Sequence, residues 1–373
     1  MSVIPFGRWG LIGVIGLLLC AQQGQAEGLA QKVRPVPVHQ AERHLTNVRQ
    51  LTVGRQNTAA HFSFSGHQLI FQSTNNWMND TYAAMLTPAD AGLRCSQMYV
   101  MDLESGTVRL VSTGTGATTG GFFFPGDRRV LYSSTYATGP NCPLPPKTAS
   151  RWAVDDYDLY AVRLDGQDIQ RLTLSSGYDA EATVSPDGKT IVWTSVKDGD
   201  LELYAMNLDG SRARRLTNEV GYDGGAVFSP DSKRIVYRAS HPTEPSDRAQ
   251  YQALLMQNLV EPIHLELFVM NADGSGQRQI TQNGAANFSP AYFHDGQRII
   301  FSSNLATSAE GGTASRHLYA IGEDGHALER LTFDGQFNSA PMFSPNGTRL
   351  VWVSDRGATT PGELNVFLAD WVP

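Results

Sequence analysis

Two short stretches of this chain combine carboxylates with tyrosines at the same spacing: Gly177-Tyr178-Asp179-Ala180-Glu181 and Gly221-Tyr222-Asp223-Gly224-Gly225. Further on, Asn287 and Asn338 stand where Asp179 stands in its own segment. A ring of Asp and Asn with Glu181 can hold a cation, a peptide amine or sugar hydroxyls. The same side chains can instead accept hydrogen bonds from loop backbone, as Asp and Asn commonly do. His61 aligns one turn from the same level, either as the ring's imidazole or as a packed strand side chain. The candidate contact set is His61, Tyr178, Asp179, Glu181, Tyr222, Asp223, Asn287 and Asn338.

Other chemistries find no footing. The 9 histidines are scattered, with no His-Glu-x-x-His spacing for zinc. Asp198-Gly199-Asp200 with Glu202 has a calcium-loop flavour but lacks the glutamate at the twelfth position, so these read as solvated hairpin residues. No Gly-x-Ser-x-Gly elbow is present. No catalytic residue, metal or cofactor is assigned.

The elements that must position this set announce themselves by repetition. Ser185-Pro186-Asp187-Gly188 leads into Ile191-Val192-Trp193, then Leu203-Tyr204-Ala205-Met206, Asp209-Gly210 and Arg215-Leu216-Thr217. A second copy begins at Ser229-Pro230-Asp231-Ser232. Proline presets the first turn position and glycine takes the left-handed one, so each copy reads as four short strands joined by tight turns. That is the pattern of a propeller blade. Returns to the first hairpin occur at His61, Phe122, Ser185, Ser229, Tyr292 and Phe343, and third strands centre on Tyr99, Tyr160, Tyr204, Phe268, Tyr319 and Phe367. The expected fold is all-β, a six-bladed propeller of four-stranded antiparallel blades. The last unit lacks a fourth strand, and Val48-Arg49-Gln50-Leu51-Thr52 is an orphan fourth strand. Residues 47–53 should therefore complete the blade of residues 333–371 and leave no open edge.

The long insertions, 74–96, 135–156, 241–264 and 305–315, are all second-to-third connections. These emerge on the same side as the fourth-to-first connections that carry the candidate set, so one decorated face is the expected site. Cys95 and Cys142 lie in or beside two of these insertions on neighbouring blades. In an exported chain they are expected to pair, the alternative being two free thiols. In the 241–264 insertion, Pro245-Ser246-Asp247 can cap a helix running to about Val260, with Pro262 ending it. Tyr251, Leu254, Leu255 and Leu259 give it an apolar face, packed on the propeller or offered as a lid.

Composition narrows the partners. With 41% hydrophobic and 17% charged residues and 36 glycines, the chain suits a turn-rich globular β protein. A formal charge of −7 without a basic run argues against nucleic acid. Arg8, the apolar run Leu11 to Leu19 and Gly24-Gln25-Ala26 form a signal peptide over residues 1–26, cleaved after Ala26. The run is too short for a membrane span, so the mature chain should carry none. Cys20 raises lipid attachment, which Leu19 before it disfavours. Residues 27–46, with Pro35 and Pro37, are expected to be an extended segment ahead of a propeller over 47–373, in a monomeric, periplasmic or secreted protein.

The repeat as it stands here, Ser-Pro-Asp-Gly, a Tyr-Ala-Met third strand, Asp-Gly, then Leu-Thr, resembles that of the TolB-type propellers over residues 47–371. Similar repeats occur in the propeller domains of prolyl oligopeptidases. The resemblance implies a non-enzymatic scaffold that binds an envelope protein or peptide through its channel face. TolB proper carries an α/β domain ahead of its propeller, which residues 27–46 cannot hold, so a place in the Tol system is not implied. Two other uses of the channel mouth stay open: a sugar lyase or hydrolase drawing on His61, Asp179, Glu181 and Asp223, or a small-ligand or metal sensor.

Overall fold

The computed structural model describes residues 33–74, 95–148, 150–261, 264–305 and 315–373. The expected signal peptide and most of the 74–96 and 305–315 insertions lie outside the described residues. Six sheets stand around a central channel. Blade 1 comprises Asn57–Phe62, Gln68–Ser73, Gln97–Asp102 and Val108–Leu110. Blade 2 comprises Thr118–Phe123, Arg129–Ser134, Asp158–Arg163 and Gln170–Arg171. Blade 3 comprises Asp179–Val184, Thr190–Ser195, Glu202–Asn207 and Arg214–Arg215. Blade 4 comprises Tyr222–Phe228, Arg234–Ser240, Glu266–Asn271 and Arg278–Gln279. Blade 5 comprises Asn287–Tyr292, Arg298–Ser303, His317–Gly322 and Glu329–Arg330. Blade 6 comprises Asn338–Phe343, Arg349–Ser354 and Asn365–Trp371.

Second strands such as Ile191-Val192-Trp193 are apolar on consecutive residues because each blade is covered on both faces by its neighbours. One core cluster joins Phe122, Leu131 and Leu159 of blade 2 to Ala182, Ile191 and Trp193 of blade 3. Inside each blade an aromatic of the second strand sits opposite one of the third. The pairs are Phe71 and Tyr99, Tyr132 and Tyr160, Trp193 and Tyr204, Tyr237 and Phe268, Phe301 and Tyr319, and Trp352 and Phe367. Their ring centroids lie 5.5–6.0 Å apart, within the range where aromatic pairs attract beyond simple burial.

Every first strand carries a feature the repeat pattern does not display. Its ladder shifts register by a bulge, and the residue two beyond Asn57, Thr118, Asp179, Asp223, Asn287 or Asn338 has positive φ: Ala59, Gly120, Glu181, Gly225, Ser289 and Ala340. A bulge bends the strand and re-aims side chains. Glu181, at φ 57°, is the charged member of the set.

The ring closes as the sequence predicts, with the strand shifted two residues earlier. Leu45–Gln50 pairs antiparallel with Asn365–Trp371, and Leu51 donates to the Val366 carbonyl at 2.8 Å. Arg34–Pro35 then adds a fifth strand outside it. Glu42, between these two strands, is fully buried with Arg356, which donates to it at 2.9 and 3.1 Å. The backbone N–H groups of Phe333 and Asp334 donate to the same carboxylate. Among the described residues no helix is long and apolar enough to cross a membrane.

Glu42→Gln leaves the buried Arg356 guanidinium without its counter-charge and should cost about 3–5 kcal/mol in urea unfolding. Arg43→Gln removes an exposed partner of Glu329 and should change stability by no more than about 0.5 kcal/mol. Equal, small losses in both variants would mean that the buried pair does not fasten the closing strands.

Candidate functional site

The decorated face is built by two insertions that meet. Trp152–Ala153, from blade 2, pairs antiparallel with Leu259–Val260, from blade 4, and Val154 donates to the Asn258 carbonyl at 2.8 Å. The helix α1, Pro245–Leu255, starts at Pro245 as expected but stops short of Val260. Asn258 turns to φ 56° and the next two residues pair as strand, so tertiary pairing overrides the helical spacing. Glu244, rather than Ser246, sits at the N-cap. The apolar face of α1 packs downward: Leu254 is buried, and the Tyr251 hydroxyl donates to Asp200 at 2.5 Å and to the Gly221 carbonyl at 2.8 Å. Asp200 also accepts from the N–H groups of Leu201 and Gly221, and Asp198 from the Tyr204 hydroxyl. Asp200 thus fastens the hairpin and the cap and Glu202 is buried, while Asp198 stays exposed as expected.

Cys95 and Cys142 are bonded, with Cα atoms 5.2 Å apart. The bond ties the strap Pro143-Leu144-Pro145-Pro146 to blade 1. Between strap and bridge opens a cleft of about 620 Å³, walled by Trp152, Tyr157, Tyr178 and Tyr222. Leu144 on the strap is 75% exposed. Toward the Pro-Asp-Gly turns, a second cavity of about 240 Å³ is lined by apolar rings including Phe64, Phe122, Phe228 and Phe343.

The predicted residues fall into two groups. Asp179, Asp223, Asn287 and Asn338 occupy equivalent first-strand positions and are all buried. Asp179 accepts from the Trp193 indole at 2.8 Å and the Ser175 hydroxyl at 2.5 Å. Asn287 and Asn338 donate to the carbonyls of Leu265 and Asp334. Asp179 and the two asparagines thus spend polar atoms on neighbouring strands and loops, and Asp223 bonds to His241. His61 donates from Nδ1 to the Gly121 carbonyl at 2.7 Å and tilts against Phe122, and burial pushes its pKa down. It is a neutral strut between blades 1 and 2.

Glu181, Tyr178 and Tyr222 do come together at the channel mouth. Glu181 accepts from the Tyr222 hydroxyl at 2.8 Å, the Gly225 N–H at 2.9 Å and the Thr194 hydroxyl at 3.1 Å, and it pairs with Arg238. Arg238 also donates to the Tyr222 hydroxyl at 2.8 Å and lies against the rings of Trp152 and Phe288. Burial works against its charge, but Glu181 and Tyr222 hold its pKa above the usual arginine value. Burial also drives the Tyr178 and Tyr222 hydroxyls far above the ordinary tyrosine range. Two glycines make the crossing possible. A Cβ at Gly224 would fall 2.5 Å from the Glu181 carboxylate, and one at Gly225 3.2 Å from the Arg238 guanidinium.

Sequence reasoning missed Arg238 and its neighbour Arg316, though a signal existed. The second-strand position of Arg238 carries Gln72, Ser133, Thr194, Ser302 and Val353 in the other blades. An arginine there breaks the repeat. Among the described residues no three His, Cys, Asp or Glu side chains come together as a metal set.

A second polar cluster lies deeper, between blades 3 and 4. Glu202 and Asp223 are both fully buried, Glu202 beside Arg215 and Asp223 3.0 Å from His241 Nε2. Burial pushes the Glu202 carboxyl up to about 7, against the Thr217 hydroxyl and Arg215. Burial raises Asp223 too, despite its bond to His241. Burial opposes the His241 charge, yet Asp223 and then Glu219 raise its pKa above the ordinary value.

Residues 149–246 and 252–366 match the family described as the TolB beta propeller domain. The chain belongs to the TolB β-propeller family. Among solved structures, this TolB propeller is similar to the putative TolB of Agrobacterium tumefaciens, with 17% identity and a TM-score of 0.55 over 86% of this chain and 91% of that one. It is similar as well to oligogalacturonate lyase from Vibrio parahaemolyticus, with 14% identity and a TM-score of 0.51 over 93% and 99%. At these identities the likeness is one of fold. A curated relative, Dipeptidyl-peptidase 5 of Porphyromonas gingivalis, is 48% identical over 48 residues. That match spans 13% of this TolB propeller and 6% of the peptidase's length.

The Glu202 cluster gives the propeller a pH dependence of definite sign. A carboxyl whose folded pKa is raised binds a proton in the folded state that the unfolded chain has released, so stability falls as pH climbs from about 4.5 to 7. His241, raised as well, contributes fully below about 6.5 and loses that contribution at higher pH, so its slope has the same sign. Wild-type unfolding free energy should drop across this range, and Glu202→Gln should flatten the slope by up to about 1.4 kcal/mol per pH unit. Parallel slopes in the two proteins would overturn the assignment. The Cys95–Cys142 bond closes a loop with a sequence separation of 47. Loop-closure entropy predicts that Cys95→Ser/Cys142→Ser loses up to about 4 kcal/mol, which chemical denaturation with and without reductant can check.

Proposed function

We propose that this TolB propeller is an exported, periplasmic interaction scaffold that takes a segment of a partner protein into the cleft on its loop-bearing face. The cleft carries the reading. It is concave and aromatic-walled, and its proline-rich strap is held by a disulfide. A wall stiffened before binding reduces the ordering cost of association, and tyrosine and tryptophan supply large contact area on few rotatable bonds. The volume of about 620 Å³ admits a few side chains of an extended segment rather than a folded domain. Export is supported by the signal peptide read from residues 1–26 and by a disulfide, a bond typical of oxidising compartments and rare in reducing ones.

The residues that a channel-mouth enzyme would draw on are otherwise engaged, which favours binding over catalysis. Asp179 and Asp223 are buried, His61 bonds to a backbone carbonyl, and Glu181 is paired with Arg238.

A photo-crosslinking amino acid placed at Leu144, on the cleft rim, should yield a discrete protein adduct in the native cell. The same group at Lys189, on a Pro-Asp-Gly turn, should not. Trp152→Ala combined with the Leu144 probe should reduce the adduct severalfold. Absence of an adduct at Leu144, or equal adducts from both positions, would sink the proposal. Recovery of the tagged chain in the cytoplasm instead of the periplasmic fraction would sink the export reading.

A further inference from the structure

Arg316 is the charge the scaffold does not explain. It precedes the third strand of blade 5, where blades 3, 4 and 6 carry Leu201, Leu265 and Leu364, and each of the four bridges to the first strand of the following blade or the residue before it. The fold is therefore content with leucine at this position. Arg316 is half-buried, and its guanidinium has no hydrogen bond or acidic partner among the described residues. Its guanidinium carbon sits over rings instead: the Phe288 centroid lies 3.8 Å away and the Phe337 centroid 5.4 Å away. Burial, with the Arg238 charge added to it, pulls its pKa down to about 10, so it still carries its proton at neutral pH. The ring contacts return only part of what it costs to leave a guanidinium half-buried without a hydrogen bond or counter-charge.

Arg238 reaches the same place from blade 4. Its Nε and Nη2 are spent on Tyr222 and Glu181, while Nη1 has no acceptor among the described residues. Phe288 lies under both guanidiniums. The three charges here, Arg238, Arg316 and Glu181, sum to +1.

We propose that the channel mouth between blades 4 and 5 is a binding site for a single carboxylate, held by the in-plane N–H groups of Arg316 with Nη1 of Arg238. The ring contacts engage the Arg316 guanidinium without using its N–H groups, which remain to donate, and a planar carboxylate can accept two of them in bidentate fashion. The net charge of +1 matches a monoanion. A phosphate dianion would leave excess negative charge beside Glu181. Trp152 and Tyr222 belong to the cleft wall and also touch Arg238, but neither arginine lines the cleft. The site therefore stands independently of the protein-partner reading, and small molecules suffice to test it.

Saturation-transfer NMR on the purified chain would compare N-acetylglycine with N-acetylglycinamide, which differ only in the carboxylate. The acid should bind and the amide should not. Arg316→Gln should weaken the acid at least tenfold, and Arg316→Lys, which keeps a point charge but loses the fork, should fall between. The unfolding transition of each variant separates lost binding from lost folding, and the acid-against-amide comparison needs no variant at all. Glucuronate in competition distinguishes sources: whichever of it and N-acetylglycine displaces the other supports the site and assigns a sugar-acid or peptide carboxylate. Equal signals from acid and amide, or an unaffected Arg316→Gln, would overturn the proposal.

Discussion

A ring of sheets is stable only when its two ends pair, and here that pairing joins the chain's beginning to its end. Leu45–Gln50 fills the edge left by Asn365–Trp371, so no ladder of unpaired N–H and C=O groups faces solvent at the seam. The buried Glu42–Arg356 pair fastens the segment in register, because Glu42 also accepts from the backbone of the blade 5-to-6 connection. With the ring closed, every other blade is covered on both faces. The fully apolar second strands and the six opposed aromatic pairs are the result.

A closed, rigid ring lets the channel mouth hold groups that cost free energy. The positive-φ bulge at the same position of every first strand shows how this is done. In most blades the position holds a small residue and the channel wall stays quiet. In blade 3 it holds Glu181, and in blade 4 Gly224 and Gly225 clear the path along which Arg238 crosses its own first strand to meet it. Polar chemistry is thus concentrated between blades 3 and 5, under the bridge formed by the insertions of blades 2 and 4. The same insertions, with the disulfide strap, shape the aromatic cleft beside it.

Most of the scaffold was legible in the residues. Turn chemistry at Pro186-Asp187-Gly188 and its counterparts marks each hairpin, and third strands centre on the predicted aromatics. The orphan strand at Val48 to Thr52 announces closure, because a local signal for each blade was repeated until the remainder could be counted. The site was less legible. Asp179, Asp223, Asn287 and Asn338 attracted attention by type and spacing, but spacing along a strand does not reveal which way a bulge turns the side chain. They face into their blades.

What the sequence determined by itself is the architecture, since strand periodicity and turn residues act over a few neighbours. The tertiary structure alone decided the chemistry of the mouth. Glu181, Arg238 and Arg316 come from three blades, and Trp152 from an insertion of a fourth. Their meeting depends on the closed ring and the two glycines rather than on any linear pattern. The end of α1 was decided in the same way: a helical pattern to Val260 gave way at Asn258 because Leu259–Val260 gained a strand partner far away in sequence. Local preference yields where a distant segment supplies hydrogen bonds that the local fold cannot.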